Sequence, residues 1–168
     1  YKIYQYTSMP KVIMDKFGEF FEITDAVNDV GVPHEMFPAL TSDEVMLNMI
    51  EAYIMKKDYD KALTNFNILM HNFTSYTKNV TMDDINRVYG EYQEDELTGE
   101  STGMKYYTPT EPTPKKELHP DFTVEKGDQE NFLQCLLHCR RIMTLHEGLR
   151  WFDIKRYGMT IYRRTIDG

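Results

Sequence analysis

The chain has 168 residues, enough for one domain with a modest core, and its 41% hydrophobic and 27% charged content sits close to the soluble globular average. With 27 acidic against 19 basic side chains it carries a net charge of −8, which argues against nucleic acid as a partner, because phosphate-backbone affinity comes from clustered Lys and Arg. No run approaches the roughly 20 apolar residues of a bilayer-spanning helix, and the opening Tyr1-Lys2-Ile3-Tyr4-Gln5-Tyr6 lacks a signal peptide's basic and apolar regions, so the sequence reads as a processed or cut piece.

In residues 1 to about 37, apolar groups such as Tyr4, Tyr6, Phe17, Phe20, Phe21 and Ile23 are interrupted by Pro10, Gly18, Gly31 and Pro33. That pattern predicts irregular chain with short strand or helix pieces. Pro38 to Met70 is the clearest helical region. Thr41 or Ser42 caps a first helix with Glu44 in its first turn, and Val45, Met46, Met49, Ile50, Tyr53 and Ile54 recur at helical spacing. Lys56-Lys57-Asp58 turns the chain, and Tyr59, Ala62, Leu63, Phe66 and Leu69 form a second apolar stripe. Around the small Ala62, Tyr53 lies nine residues before, Tyr59 three before and Phe66 four after, a spacing that resembles a tetratricopeptide (TPR) repeat. One such unit buries its faces only against neighbours.

Residues 71–127 lose periodicity, apart from a short helix over Asp83 to Tyr89 capped by Thr81. An acidic run (Glu91, Glu94, Asp95, Glu96, Glu100), four prolines and Tyr89, Tyr92, Tyr106 and Tyr107 fall in this stretch, of a length that is often functional. From Asp128 the period returns in Phe132, Leu136, Cys139 and Met143, until Gly148 bends or ends that helix and Leu149 to Tyr157 begin a short one. These elements predict an all-α fold: a TPR-like helical hairpin over 37–70, a long loop region over 71–127, and C-terminal helices over 128–158.

Cys135 and Cys139 share a helix face at a spacing poorly suited to a disulfide, and read as free, buried thiols. His34, His71, His119, His138 and His146 are scattered, and His146-Glu147 as an acid/base pair would face different ways on a helix. The acidic run lacks the ordered spacing of an EF-hand and reads as a solvated loop. Asn72-Phe73-Thr74 and Asn79-Val80-Thr81 match glycosylation acceptors, short motifs that are frequent by chance. No catalytic, metal or cofactor constellation is selected. Arg140, Arg141, Glu147, Arg150, Asp153 and Arg156 could form an ion network that fixes the angle between two helices, a task suited to the planar fork of Arg.

Arg140-Arg141, followed by Glu147-Gly148-Leu149-Arg150-Trp151-Phe152-Asp153-Ile154-Lys155-Arg156-Tyr157-Gly158, resembles the C-terminal signature of the SusD/RagB family of Bacteroidetes outer-membrane nutrient-binding lipoproteins. Phe37-Pro38-Ala39-Leu40, leading into Glu44-Val45-Met46-Leu47 and Glu51-Ala52-Tyr53, is similar to that family's Pro-leading helix, and Asn67 stands where the family tends to place Asn. The chain departs from the pattern at Cys139, Met143, Thr144, Thr41 and Met70.

The resemblance implies that this is the C-terminal third of a SusD-like protein, with the lipidated cysteine and the first TPR-like units upstream. It implies a non-enzymatic role. The protein would sit lipid-anchored on the outer-membrane surface, bind a glycan or peptide, and act as the lid of a SusC-like TonB-dependent transporter. Tyr92, Tyr106 and Tyr107 are the candidate stacking residues, since tyrosine offers an apolar face and a polar tip. Trp151 is assigned to the core, because the family motif places it at the helix junction. A TPR-like interaction module without a transport role is the alternative. A glycan-processing enzyme would need a carboxylate pair about 5 to 10 Å apart across a cleft.

Overall fold

The computed structural model describes residues 2–6, 9–13, 18–36, 40–145 and 147–162. The chain divides into two compact units, residues 1–41 and 42–168. The Phe37-Pro38-Ala39 part of the family-like motif and His146 lie outside the described residues.

The first unit holds two antiparallel hairpins, where interrupted periodicity had predicted mostly irregular chain. Strand β1 (Lys2–Tyr6) pairs with β2 (Met9–Ile13), and β3 (Gly18–Asp25) with β4 (Val30–Met36). Gly31 and Pro33, opposite Ile23 and Phe21, do not break β4. Each strand of a two-stranded sheet has one unpaired edge, where a proline costs no ladder bond. The turn is polar: the Asp25 carboxylate accepts from the Val27 N–H at 2.9 Å and the Asn28 amide at 2.7 Å. These hydrogen bonds lower the Asp25 pKa, the Asn28 side chain contributing most.

The second unit is helical. Helix α1 (Ser42–Met55) buries Leu47, Ile50 and Ile54 at helical spacing. Lys57 then takes a positive φ of 60°, and the next residue, Asp58, caps α2 (Tyr59–Phe73) by accepting from the Lys61 N–H at 3.3 Å. Helix α2 buries Ala62, Phe66 and Leu69. Thr81 and Asp84 form a capping box on α3 (Met82–Tyr89), each satisfying a backbone N–H that the first turn leaves open. Asn67 of α2 holds the approach to α3, accepting from the Val80 N–H at 2.7 Å and donating to its carbonyl at 3.0 Å.

Helix α4 (Asp128–Met143) is the centre of this unit: every residue from Gln129 to Leu137 is buried. Phe132 meets Phe66 edge-on, with ring centres 5.6 Å apart. Helix α5 (Arg150–Arg156) follows a link in which Gly148 has φ +77°. Beyond it, the Gly158 Cα faces the His119 carbonyl so closely that an added Cβ would lie 2.3 Å from that oxygen. A side chain there would displace the 119 strap, whose His119 N–H donates to the Tyr157 carbonyl at 2.8 Å.

The region 71–127 is less irregular than its sequence suggested. Besides α3 it contains a short hairpin, β5 (Gln93–Glu94) with β6 (Ser101–Thr102). In its turn the Asp95 carboxylate accepts from the Leu97 and Thr98 N–H groups at 2.8 and 3.2 Å. The rest is a strap pinned to α4 by amide side chains. Gln134 accepts from the Lys116 N–H at 3.0 Å and donates to the Lys116 carbonyl, and Gln129 accepts from the Glu125 N–H at 2.8 Å. Lys115 is buried and donates to the Tyr89 and Gly90 carbonyls at 2.6 and 2.8 Å, where the C-terminal end of α3 carries negative partial charge. Burial lowers the Lys115 pKa, with Glu130 opposing that shift.

Helix is thus the main regular structure among the described residues, as the all-α reading expects in its coarser form, with three small two-stranded sheets added. Cys135 and Cys139 are free thiols, Cys135 buried and Cys139 half-buried.

Phe66→Ala removes the ring that fills the α2–α4 contact and is expected to lower the unfolding free energy by about 3–5 kcal/mol. The shift in the urea-denaturation midpoint checks this.

Candidate functional site

Arg140 of α4 sits buried between α1 and α5. Its guanidinium donates to Glu51 Oε2 at 2.7 Å and Asn48 Oδ1 at 3.1 Å on α1, and to Asp153 Oδ1 at 2.8 Å on α5. The other Glu51 oxygen accepts from Arg156 Nε at 2.8 Å and from the Tyr157 hydroxyl at 2.6 Å. Burial works against the Glu51 anion, but Tyr157, Arg140 and Arg156 outweigh it and hold the carboxyl below its ordinary pKa. Burial and the Glu51 charge push the Tyr157 phenol well up. Glu51 is therefore locked as an anion. This cluster ties three helices, where the sequence predicted a clamp between two. Glu51, the missing partner, stands 89 residues before Arg140, and only its place in the family-like Glu-Ala-Tyr run marked it.

The cluster forms part of the wall of an open groove of about 1090 Å³, lined by α1, α5 and Asp121-Phe122. The carboxylates facing it from the cluster, Glu51 and Asp153, are committed to Arg140.

A second groove, of about 490 Å³, lies between the strap and the C-terminal segment. Tyr107 and Tyr162 line it as a stacked pair, ring centres 5.5 Å apart and planes 19° from parallel. Lys116 Nζ lies 3.0 Å from the Tyr107 ring centre. Arg141 and Arg150 also line it. Arg150 Nη1 is buried without a hydrogen-bond partner, 3.6 Å from Asp153 Oδ2, which is itself unsatisfied. Arg150 Nη2 donates to the Met159 sulfur at 3.2 Å, a weak acceptor. Burial lowers the Arg150 pKa, Asp153 opposes this, and the nearby Arg141 adds to it.

Of the three tyrosines expected to stack on ligand, only Tyr107 lines either groove. The Tyr106 hydroxyl donates to Glu130 at 2.7 Å and accepts from Lys126 at 2.7 Å. Its ring carries the Lys115 and Lys126 ammonium groups at 4.7 and 4.9 Å, so it is a structural post. Tyr92 bonds Glu94 and faces Lys105 at 4.6 Å. Tyr162 was not singled out; its signal was only its place in the segment after the signature.

Trp151 corrects a second expectation, since it is 58% exposed rather than core. On a seven-residue helix whose Asp153 points inward, Trp151 falls on the outer side with Phe152, and Lys155 lies 5.9 Å over its ring. Arg141 is exposed in the second groove rather than part of the buried cluster, and Glu147 is half-buried in the α4–α5 link, its N–H donating to the Thr144 carbonyl at 3.1 Å.

Comparison with known proteins finds no matching family model, no matching curated protein and no matching solved structure.

Glu51→Ala leaves Arg140 buried beside one carboxylate instead of two, and is expected to cost about 3–5 kcal/mol in urea denaturation. Because the Glu51 carboxyl is held below its ordinary value of 4.5, its contribution to stability is fully present above that pH. It is lost as pH falls through the lower folded value. Denaturation midpoints followed from neutral to acidic pH are expected to show a shallower acid limb in Glu51→Gln.

Proposed function

We propose that this chain is the C-terminal portion of a SusD/RagB-type lipoprotein that captures a nutrient, a glycan in the first instance, at the cell surface and passes it to a TonB-dependent barrel transporter as its lid. The observation carrying this reading is the convergence of two separately matched motifs. Glu51, from the family-like run in α1, bonds Arg140, Arg156 and Tyr157 of the C-terminal signature, and Asp153 joins them through Arg140, in one cluster that is buried apart from Arg156. The matched residues thus act together as a scaffold, which is what a signature spread over 100 residues of chain needs physically.

The α1–α2 hairpin supports a TPR-like unit: the small Ala62 is fully buried, and Phe66 packs into the same core. The second groove supports ligand capture, since a stacked tyrosine pair with cations beside it offers an apolar platform and polar anchors. In the larger groove Glu51 is committed to Arg140, Arg156 and Tyr157 as part of the scaffold.

A second reading, a TPR-like peptide-binding module without transport, is favoured by the exposed Trp151 and Phe152, the latter lining the larger groove.

Affinity purification of the full-length protein from outer membranes in mild detergent separates the two. A co-purifying barrel transporter is the expected result. Recovery of the intact protein with no barrel would move the reading to the stand-alone module.

A further inference from the structure

We infer that the groove holding the Tyr107–Tyr162 pair takes an acidic saccharide: an oxyanion on the sugar is held by Arg150 and Arg141 with Lys116, and a sugar ring lies against Tyr162. The inference rests on the ligand-capture reading and names the class of ligand.

Charge carries it first. Acids outnumber bases 27 to 19 in this chain, yet the described residues lining this groove include Lys116, Arg141 and Arg150 and no acid. Arg150 carries it further. A guanidinium has five N–H donors in a fixed fork. Here the buried Nη1 has only a long ion pair with Asp153, 3.6 Å away and behind the groove, and Nη2 donates to a thioether. A carboxylate or sulfate oxygen is a far better acceptor than that sulfur, and it bonds guanidinium in a two-point geometry. Arg141 and Arg150 line the same groove, and an anion between two like charges is attracted to both. The rings define the remainder of the ligand. Tyr162 is 46% exposed and backed by Tyr107, so it presents a supported apolar face of the kind a pyranose covers. Thr160 adds a hydroxyl to the lining, suited to sugar hydroxyls, and Thr113, whose hydroxyl donates to the Lys105 carbonyl at 2.8 Å, offers an acceptor oxygen.

The test is calorimetric titration of the full-length protein with trigalacturonic acid, a sulfated disaccharide, maltotriose, a glutamate-rich peptide and inorganic sulfate. An acidic saccharide is expected to bind while maltotriose does not, with affinity falling as ionic strength rises past roughly 0.1 M. Whichever acidic sugar binds tighter identifies the oxyanion as carboxylate or sulfate. Arg141→Gln changes an exposed side chain, so its thermal midpoint should stay unchanged while acidic-sugar affinity falls roughly tenfold or more. Tyr162→Ala should weaken the same ligand.

Equal binding of maltotriose and trigalacturonic acid, with Arg141→Gln silent, overturns the inference and leaves nutrient capture standing. Sulfate alone binding as tightly as the sulfated sugar, or the peptide binding in place of the sugars, overturns the saccharide. If no sugar binds but the barrel transporter still co-purifies, only this inference falls. If neither occurs, the capture reading falls with it.

Discussion

A guanidinium taken out of water must find its counter-charges inside the protein, and Arg140 sets that condition for the helical unit. Its partners come from two other helices, so α1, α4 and α5 must arrive in one register for the charge to be met. A one-residue slip of α5 would rotate Asp153 by about 100° around the helix, leaving its carboxylate unmatched and Arg140 with one of its two carboxylates. Apolar packing alone tolerates such slips at modest cost. Planar, two-sided bonding to Arg140 does not, and the cluster therefore acts more through uniqueness of arrangement than through net stability.

The same logic extends to the strap that crosses α4. Backbone amides with no helix or sheet partner need other partners when buried. Gln134, Gln129 and Asn67 supply them, and Gln134 and Asn67 each bond both the N–H and the carbonyl of one residue, as a neighbouring strand would. A long segment with little regular structure is thereby held in one path. Tyr107 and Lys116 owe their place beside the C-terminal segment to this path, so the second groove is a product of core polar residues that never touch it.

Local signals in the sequence were sufficient for the helices. Apolar spacing placed α1, α2 and α4, Thr81 marked the start of α3, and Gly148 marked the break before α5. What stayed hidden was non-local. Glu51 and Arg140 are partners only in space, and no spacing rule joins them. The tyrosines of the loop region looked like ligand platforms because tyrosine is apolar on its faces, but the faces of Tyr106 are met by Lys115 and Lys126 and its hydroxyl by Glu130. Trp151 read as core because the family-like motif places it at the helix junction, yet side-chain direction on a short helix is fixed by the residues that must point inward, here Asp153. The hairpin β3–β4 was obscured by Gly31 and Pro33, which punctuate long strands but are compatible with a two-stranded edge.

The exposure of Trp151 also has an optical consequence. It is the sole tryptophan, so indole emission from this chain originates on the outer side of α5 and in contact with water. Such a fluorophore changes little when the core melts, because it is already hydrated. It responds instead to whatever covers that helix, with a shift to shorter wavelength as water leaves the ring. The chain thus carries a built-in reporter of docking at α5 that is nearly blind to the stability of the α2–α4 core.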